Sequence, residues 1–151
     1  MRDPLVLGSS SPYRAQALRS LGLVFTQISP NVDETPRSNE TPEALAARLA
    51  ETKAVGIAQQ HAGAIVIGSD QVGLCSGQLL SKPGSKANAI AALRQNAGHT
   101  ATFYTGLVCA RQDLAGTLHT RLDVCKTEVK FRLLTDEQVT RYVEYDDPVD
   151  V

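Results

Sequence analysis

The stretch "AIVIGSD", residues 64–70, decides how the chain is read. Ala64–Ile67 is a short apolar run ending in three β-branched residues, the pattern of a strand covered on both faces. It stops at the polar triplet Gly68–Ser69–Asp70, so the spacing predicts a buried strand that terminates at an acid. Towards the N-terminus, Leu5–Leu7 has the same character. Ser11 then caps a helix with Pro12 at its first position, where a missing N–H costs nothing. Gly22 suits the end of that helix, and Leu23–Ser29 alternates as a further strand. The segment "PNVDETPRSNETP", residues 30–42, is polar with three prolines and reads as an exposed loop.

Thr41 and Pro42 repeat the cap-plus-proline signal and predict a helix to about Gln60. Leu45, Leu49, Lys53 and Ile57, four apart, form one stripe along it. A lysine in an apolar stripe either snorkels to the surface or aims its ammonium into a site. Periodicity alone favours snorkelling.

Beyond residue 70, "QVGLCSGQLLSKPG" reads as a hairpin turning at Ser76–Gly77, followed by a loop with Lys82, Pro83 and Gly84. Ser85 caps a helix to about Ala97. His99–Arg111 and Thr120–Leu134 alternate as two long strands, neighbours in a sheet. Thr135 and Gln138 fit a capping box for a last helix through Tyr145. The order of elements predicts an α/β fold, a mixed β-sheet flanked by helices, with residues 1–151 as a single domain.

Composition narrows the function classes. A net charge of -1 offers no general attraction to nucleic acid or to a membrane surface. No apolar run approaches the roughly 18 residues of a spanning helix, and "MRDPLVLG" lacks the pattern of a secretory signal. Cys75, Cys109 and Cys125 have no C-x-x-C spacing and are expected as buried, reduced thiols of a cytoplasmic protein. His61, His99 and His119 show no metal-ligand spacing and read as surface or cap residues. Neither a G-x-x-x-x-G-K-[ST] loop nor G-x-G-x-x-G occurs. Gly8–Pro12 fails the second glycine of a hydrolase elbow.

The remaining polar residues suggest phosphate chemistry. Asp70 at a strand end and Glu34 in the long loop can converge at the carboxyl edge of a sheet, where ligands bind in open α/β folds. Two carboxylates there suit a hard divalent cation that keeps waters for a phosphate substrate. The same residues also fit a turn cap and a solvated loop acid. Arg14, in the first turn of a helix, lies beside free N–H groups that favour anions. Lys53 and Lys82 extend the basic set.

With these residues in place, the chain resembles the Maf family of nucleoside triphosphate pyrophosphatases. The carriers are "SSSPYR" (Ser9–Arg14), "VDETPRSNETPEALAARLAETKA" (Val32–Ala54), "IGSDQV" (Ile67–Val72), "SKPGSKANA" (Ser81–Ala89) and "TFYTGL" (Thr102–Leu107). The resemblance implies a Maf/inosine-triphosphatase-like fold. It also implies metal-assisted hydrolysis of a nucleoside triphosphate between its α and β phosphates. Asp70 then stands as the catalytic base, and Glu34 with Asp70 as ligands of magnesium or manganese. Ser9, Arg14, Lys53 and Lys82 stand as phosphate contacts, which turns the Lys53 ammonium towards the site.

Tyr13 after Pro12, and "GSDQV" in place of G-A-D-T, resemble the subgroup acting on 7-methyl-GTP. An aromatic ring can stack on a purine made cationic by N7 methylation, and the Gln71 amide can read a base edge. A dTTP/UTP pyrophosphatase and a non-catalytic nucleotide-binding regulator of septum formation stay open as alternatives, as does a homodimer. Family members continue through an A-G-x-F-K-x-E-G-like segment after a motif like "YDDPVD". The sequence stops at Val151, so the expected fold lacks the family's C-terminal part.

Overall fold

The computed structural model describes residues 3–149; Met1, Arg2, Asp150 and Val151 lie outside the described residues. The elements in chain order are β1 (Leu5–Gly8), α1 (Pro12–Ser20), β2 (Thr26–Ile28), α2 (Pro42–Gln60), β3 (Ile65–Cys75), β4 (Gln78–Leu80), α3 (Lys86–Asn96), β5 (Thr100–Gln112), β6 (Leu118–Lys130) and α4 (Asp136–Asp146). Among the described residues the strands form one sheet ordered β2-β1-β3-β5-β6, with β4 paired to β3. β1 runs parallel to both β2 and β3, whereas β3 and β4 are antiparallel. The sheet is therefore mixed, as the order of elements predicts.

By its internal contacts the chain divides into two compact units, one running to Gln71 and including Tyr104–Cys125, the other Val72–Phe103 and Lys126 onward. In the first unit, α2 covers the sheet. Val6, Ala54, Ile57, Val66 and Val108 are among its buried core residues. Each helix N-terminus foreseen from sequence is capped as expected. The Ser11 hydroxyl accepts from the Arg14 N–H at 3.3 Å, and Thr41 accepts from Ala44 at 3.2 Å. In the second unit α3 and α4 pack together, and α4 carries both bonds of the Thr135–Gln138 capping box. The hairpin there turns at Ser76 and Gly77, with φ of 49° and 80°, the two positive values a type I′ turn requires.

Three expectations are corrected. The strand of residues 64–70 does not stop at Asp70: β3 continues to Cys75 because the alternation runs on into the hairpin with β4. What does stop is the β1 ladder, which ends at the Gly8–Gly68 pair. Asp70 thus lies two residues past the point where β3 loses its parallel neighbour, inside a strand rather than at its tip. The cysteines also divide, Cys75 being buried while Cys109 and Cys125 are exposed. From Gly106 to Ala110 the strand alternates buried and exposed, which turns Cys109 outward. β2 is shorter than the alternation of residues 23–29, since only Thr26–Ile28 meets the short β1.

The approach of α2 to the sheet is unusually close, and glycine makes it so. A Cβ at Gly68 would stand 2.5 Å from the Ala50 carbonyl oxygen and 2.7 Å from the Ala54 Cβ. A Cβ at Gly106 would stand 2.5 Å from the Ala46 carbonyl oxygen. On the helix side Ala46, Ala50 and Ala54 recur every four residues and present a ridge of single methyl groups. Neither backbone can yield without moving the whole helix. Gly68→Ala is therefore expected to destabilise the protein by about 1–3 kcal/mol, read as a lower urea midpoint. Unchanged stability would mean that the helix can retreat without cost.

Candidate active site

The close approach sets up the site. β3 residues alternate in direction, so Asp70 projects from the face on which Gly68 meets α2. On α2, Lys53 lies beside Ala54, the residue whose Cβ abuts Gly68. The result is a direct ion pair: Lys53 Nζ lies 2.6 Å from Asp70 Oδ1. Both residues are buried, at 6% and 8% exposure. The ammonium does not snorkel. It also lies 2.6 Å from Glu34 Oε1, and the Glu34 side chain is 61% exposed. One ammonium therefore bridges two carboxylates and offsets their mutual repulsion.

On the neighbouring strand, β1 ends at Gly8 and the chain turns through Ser9–Ser11 into α1. Ser9 is 3% exposed, and its hydroxyl accepts from the Ser11 N–H at 3.1 Å and from Arg14 Nη1 at 3.2 Å. Gln27 of β2 donates to the Ser9 carbonyl at 2.8 Å. The serine turn is thus held from two sides, with a guanidinium at the start of a helix whose first N–H groups favour anions. Tyr13, next to Arg14, is 61% exposed and packs into no core. Gln71 is exposed and donates from Nε2 to Thr105 Oγ1 at 2.9 Å.

Ser9 and Arg14 therefore meet, Glu34, Lys53 and Asp70 meet, and both groups stand at the ends of neighbouring parallel ladders. Lys82 belongs to the second unit, on the exposed loop between β4 and α3, and its expected role stands on the resemblance alone. His61, His99 and His119 are exposed, as expected. Among the described residues no cluster of three or more His, Cys, Asp or Glu is set to hold a metal. Magnesium needs less, because it is commonly held by one or two carboxylates together with substrate phosphates. The donor chemistry of Glu34 and Asp70 fits such an ion.

The model of the family described as "Maf-like protein" matches residues 4–151. The chain belongs to the Maf family. Among curated relatives, a 7-methyl-GTP pyrophosphatase of Ralstonia nicotianae is 45% identical over 151 residues, which is 100% of this chain and 76% of that protein. A 7-methyl-GTP pyrophosphatase of Nitrosococcus oceani is 46% identical, over 95% of this chain and 71% of that protein. Among solved structures, the Staphylococcus aureus Ham1 protein aligns with a TM-score of 0.53 at 16% identity, covering 84% of this chain and 71% of that one. A HAM1 protein from Coxiella burnetii aligns with a TM-score of 0.50 at 15% identity, over 85% and 73% of the two chains. At such identities the likeness is one of fold, and it agrees with the α/β reading.

This Maf protein also contains polar residues that the sequence left without a role. Arg48 of α2 donates from Nε to Glu40 Oε1 at 2.6 Å, from Nη2 to Glu40 Oε2 at 2.9 Å, and from Nη2 to the Thr35 carbonyl at 3.1 Å. Glu40 Oε2 also accepts the Arg37 N–H at 2.9 Å. Both residues lie within the matching stretch Val32–Ala54, yet an arginine on a helix and an acid eight residues earlier carry no spacing signal. Asn31–Asp33 and Thr35–Arg37 line an open cleft of about 440 Å³ with Arg48, whereas Glu34 turns to Lys53.

The Arg48 bond, then the Arg37 N–H, holds the Glu40 carboxyl well below its ordinary value of 4.5, at about 2. A carboxyl lowered in the folded state contributes stability above its ordinary pKa, and that contribution is lost as pH falls towards the folded value. The stability gap between the wild type and Glu40→Gln is therefore expected to narrow as pH falls from about 4.5 towards 2. Urea unfolding across that window reads it, and a constant gap would contradict the assignment.

Proposed function

We propose that this chain is a metal-dependent nucleoside triphosphate pyrophosphatase that cleaves 7-methyl-GTP between its α and β phosphates. The observation carrying this reading is the buried Lys53 ammonium bridging Asp70 and Glu34, one strand away from the Ser9–Arg14 helix start. The printed activity of the relatives supports the substrate. In this reading Arg14, the α1 N-terminus and Lys53 bind the triphosphate. The nucleophile is water, which attacks the α phosphorus while Asp70 takes its proton. Lys53 donates to Oδ1, which leaves Oδ2 outside that bond. The bond from the α phosphorus to the bridging oxygen breaks, and pyrophosphate leaves with that oxygen. Glu34 and Asp70 would hold magnesium or manganese, which when bound supplies positive charge to the phosphates.

At the base, the exposed Tyr13 ring offers a face for the cationic purine, worth about 0.5–2 kcal/mol. Gln71 has its amide N–H₂ engaged by Thr105, which orients its carbonyl as the acceptor for a base N–H. No helix among the described residues is long and apolar enough to cross a membrane, and the reading places the enzyme in the cytoplasm with its nucleotide substrate as partner.

Asp70→Asn is expected to lower turnover roughly a hundredfold to ten-thousandfold, with nucleotide affinity retained in calorimetry. Near-normal pyrophosphate release would remove Asp70 from the reaction. For specificity, chromatography of products from 7-methyl-GTP, UTP, dTTP and CTP is expected to show fastest cleavage of 7-methyl-GTP. Tyr13→Ala should reduce that preference by about two- to thirtyfold. Faster cleavage of UTP or dTTP by the wild type would move the protein to the other subgroup.

A further inference from the structure

Glu34 presents a positional problem. Its side chain is mostly exposed and lies in an irregular loop, residues 29–41, so packing does not fix it. Yet its carboxylate must meet a buried ammonium on α2. The backbone beside it is fastened by Arg48, whose Nη2 holds the Thr35 carbonyl, the residue next to Glu34. Arg48 is itself aligned by the two-pronged bond to Glu40, and Glu40 holds the Arg37 N–H on the other side. The loop is thus gripped at residues 35 and 37, and the chain passes Asn39 in the left-handed region (φ 60°) on its way back to Glu40. The two side chains are largely covered, at 18% for Arg48 and 7% for Glu40. Arg48 and Lys53 ride on the same helix, so the grip on the loop and the ammonium that Glu34 meets share one rigid frame.

We propose that Arg48 and Glu40 are positioning residues of the site, which set the Glu34 carboxylate against Lys53 and Asp70 by holding the Thr35 carbonyl. This inference rests on the reading of Glu34 as a site residue. A planar guanidinium is required, because it must satisfy a bidentate carboxylate and a carbonyl at once; a lysine of equal charge cannot.

A double-mutant cycle with Glu34→Gln separates this role from general stabilisation. Two readouts are taken: pyrophosphate release from 7-methyl-GTP with manganese, and binding of manganese alone followed by electron paramagnetic resonance. Arg48→Lys is expected to lower kcat about ten- to a hundredfold and to weaken manganese binding while the protein stays folded at the assay temperature, its thermal midpoint falling no further in the wild-type background than in the Glu34→Gln one. In the Glu34→Gln background both effects of Arg48→Lys should vanish. Arg48→Ala should behave the same way, and if it fails to fold the lysine variant alone carries the cycle. Equal losses from Arg48→Lys in both backgrounds would overturn the positioning role while leaving Glu34 in the site. If Glu34→Gln alone changes neither readout, the site reading itself falls, and the positioning role falls with it.

Discussion

Helix α2 rests on the sheet at backbone distance, with Ala46, Ala50 and Ala54 against Gly68 and Gly106 where any side chain would collide. The ion pairs of Lys53 in the first unit depend on that contact. The close spacing puts the Asp70 carboxylate within 2.6 Å of the Lys53 ammonium, both of them buried. An unpaired buried charge is far more costly than a paired one. The glycines therefore bring the helix close enough for the ion pair, and the ion pair makes the close position electrically tolerable.

The same helix gathers the loop. Lys53 takes a second carboxylate from Glu34, and Arg48 holds Glu40 and the Thr35 carbonyl. α2 is thus a scaffold with three kinds of contact: an apolar stripe into the core, a methyl ridge on the sheet, and two cations that fasten acids. The Ser9–Arg14 turn is organised separately, from β1 and from Gln27 of β2. The two clusters follow the same point of the sheet, because the ladder between β1 and β3 ends at the Gly8–Gly68 pair, just before Ser9 and Asp70.

Much of this was legible from residues alone. Helix starts at Ser11, Thr41, Ser85 and Thr135 follow from local side-chain-to-backbone bonding, which needs no tertiary partner. The hairpin at Ser76–Gly77 is likewise a local matter. Strand limits were less legible. Asp70 looked like a strand end because a polar triplet interrupts an apolar run, but a strand continues wherever a neighbour supplies hydrogen bonds, and β4 supplies them. Lys53 shows the limit of periodicity most clearly. Its place in an apolar stripe is what a snorkelling lysine would show too, and only the resemblance to a family turned the ammonium inward. The Glu40–Arg48 pair left no signal, since its partners are brought together by the course of a loop.

By itself, the sequence determined the elements, their order and the residue types able to handle a triphosphate, because caps, turns and alternation are set within a few residues of each other. Tertiary structure alone decided which of those residues meet. The Lys53–Asp70 and Lys53–Glu34 contacts span 17 and 19 positions (70 − 53 and 53 − 34) and exist only once α2 lies against Gly68. The reason is physical: a charge finds its partner through the distance between packed backbones, and that distance is set by the absence of side chains at two glycines.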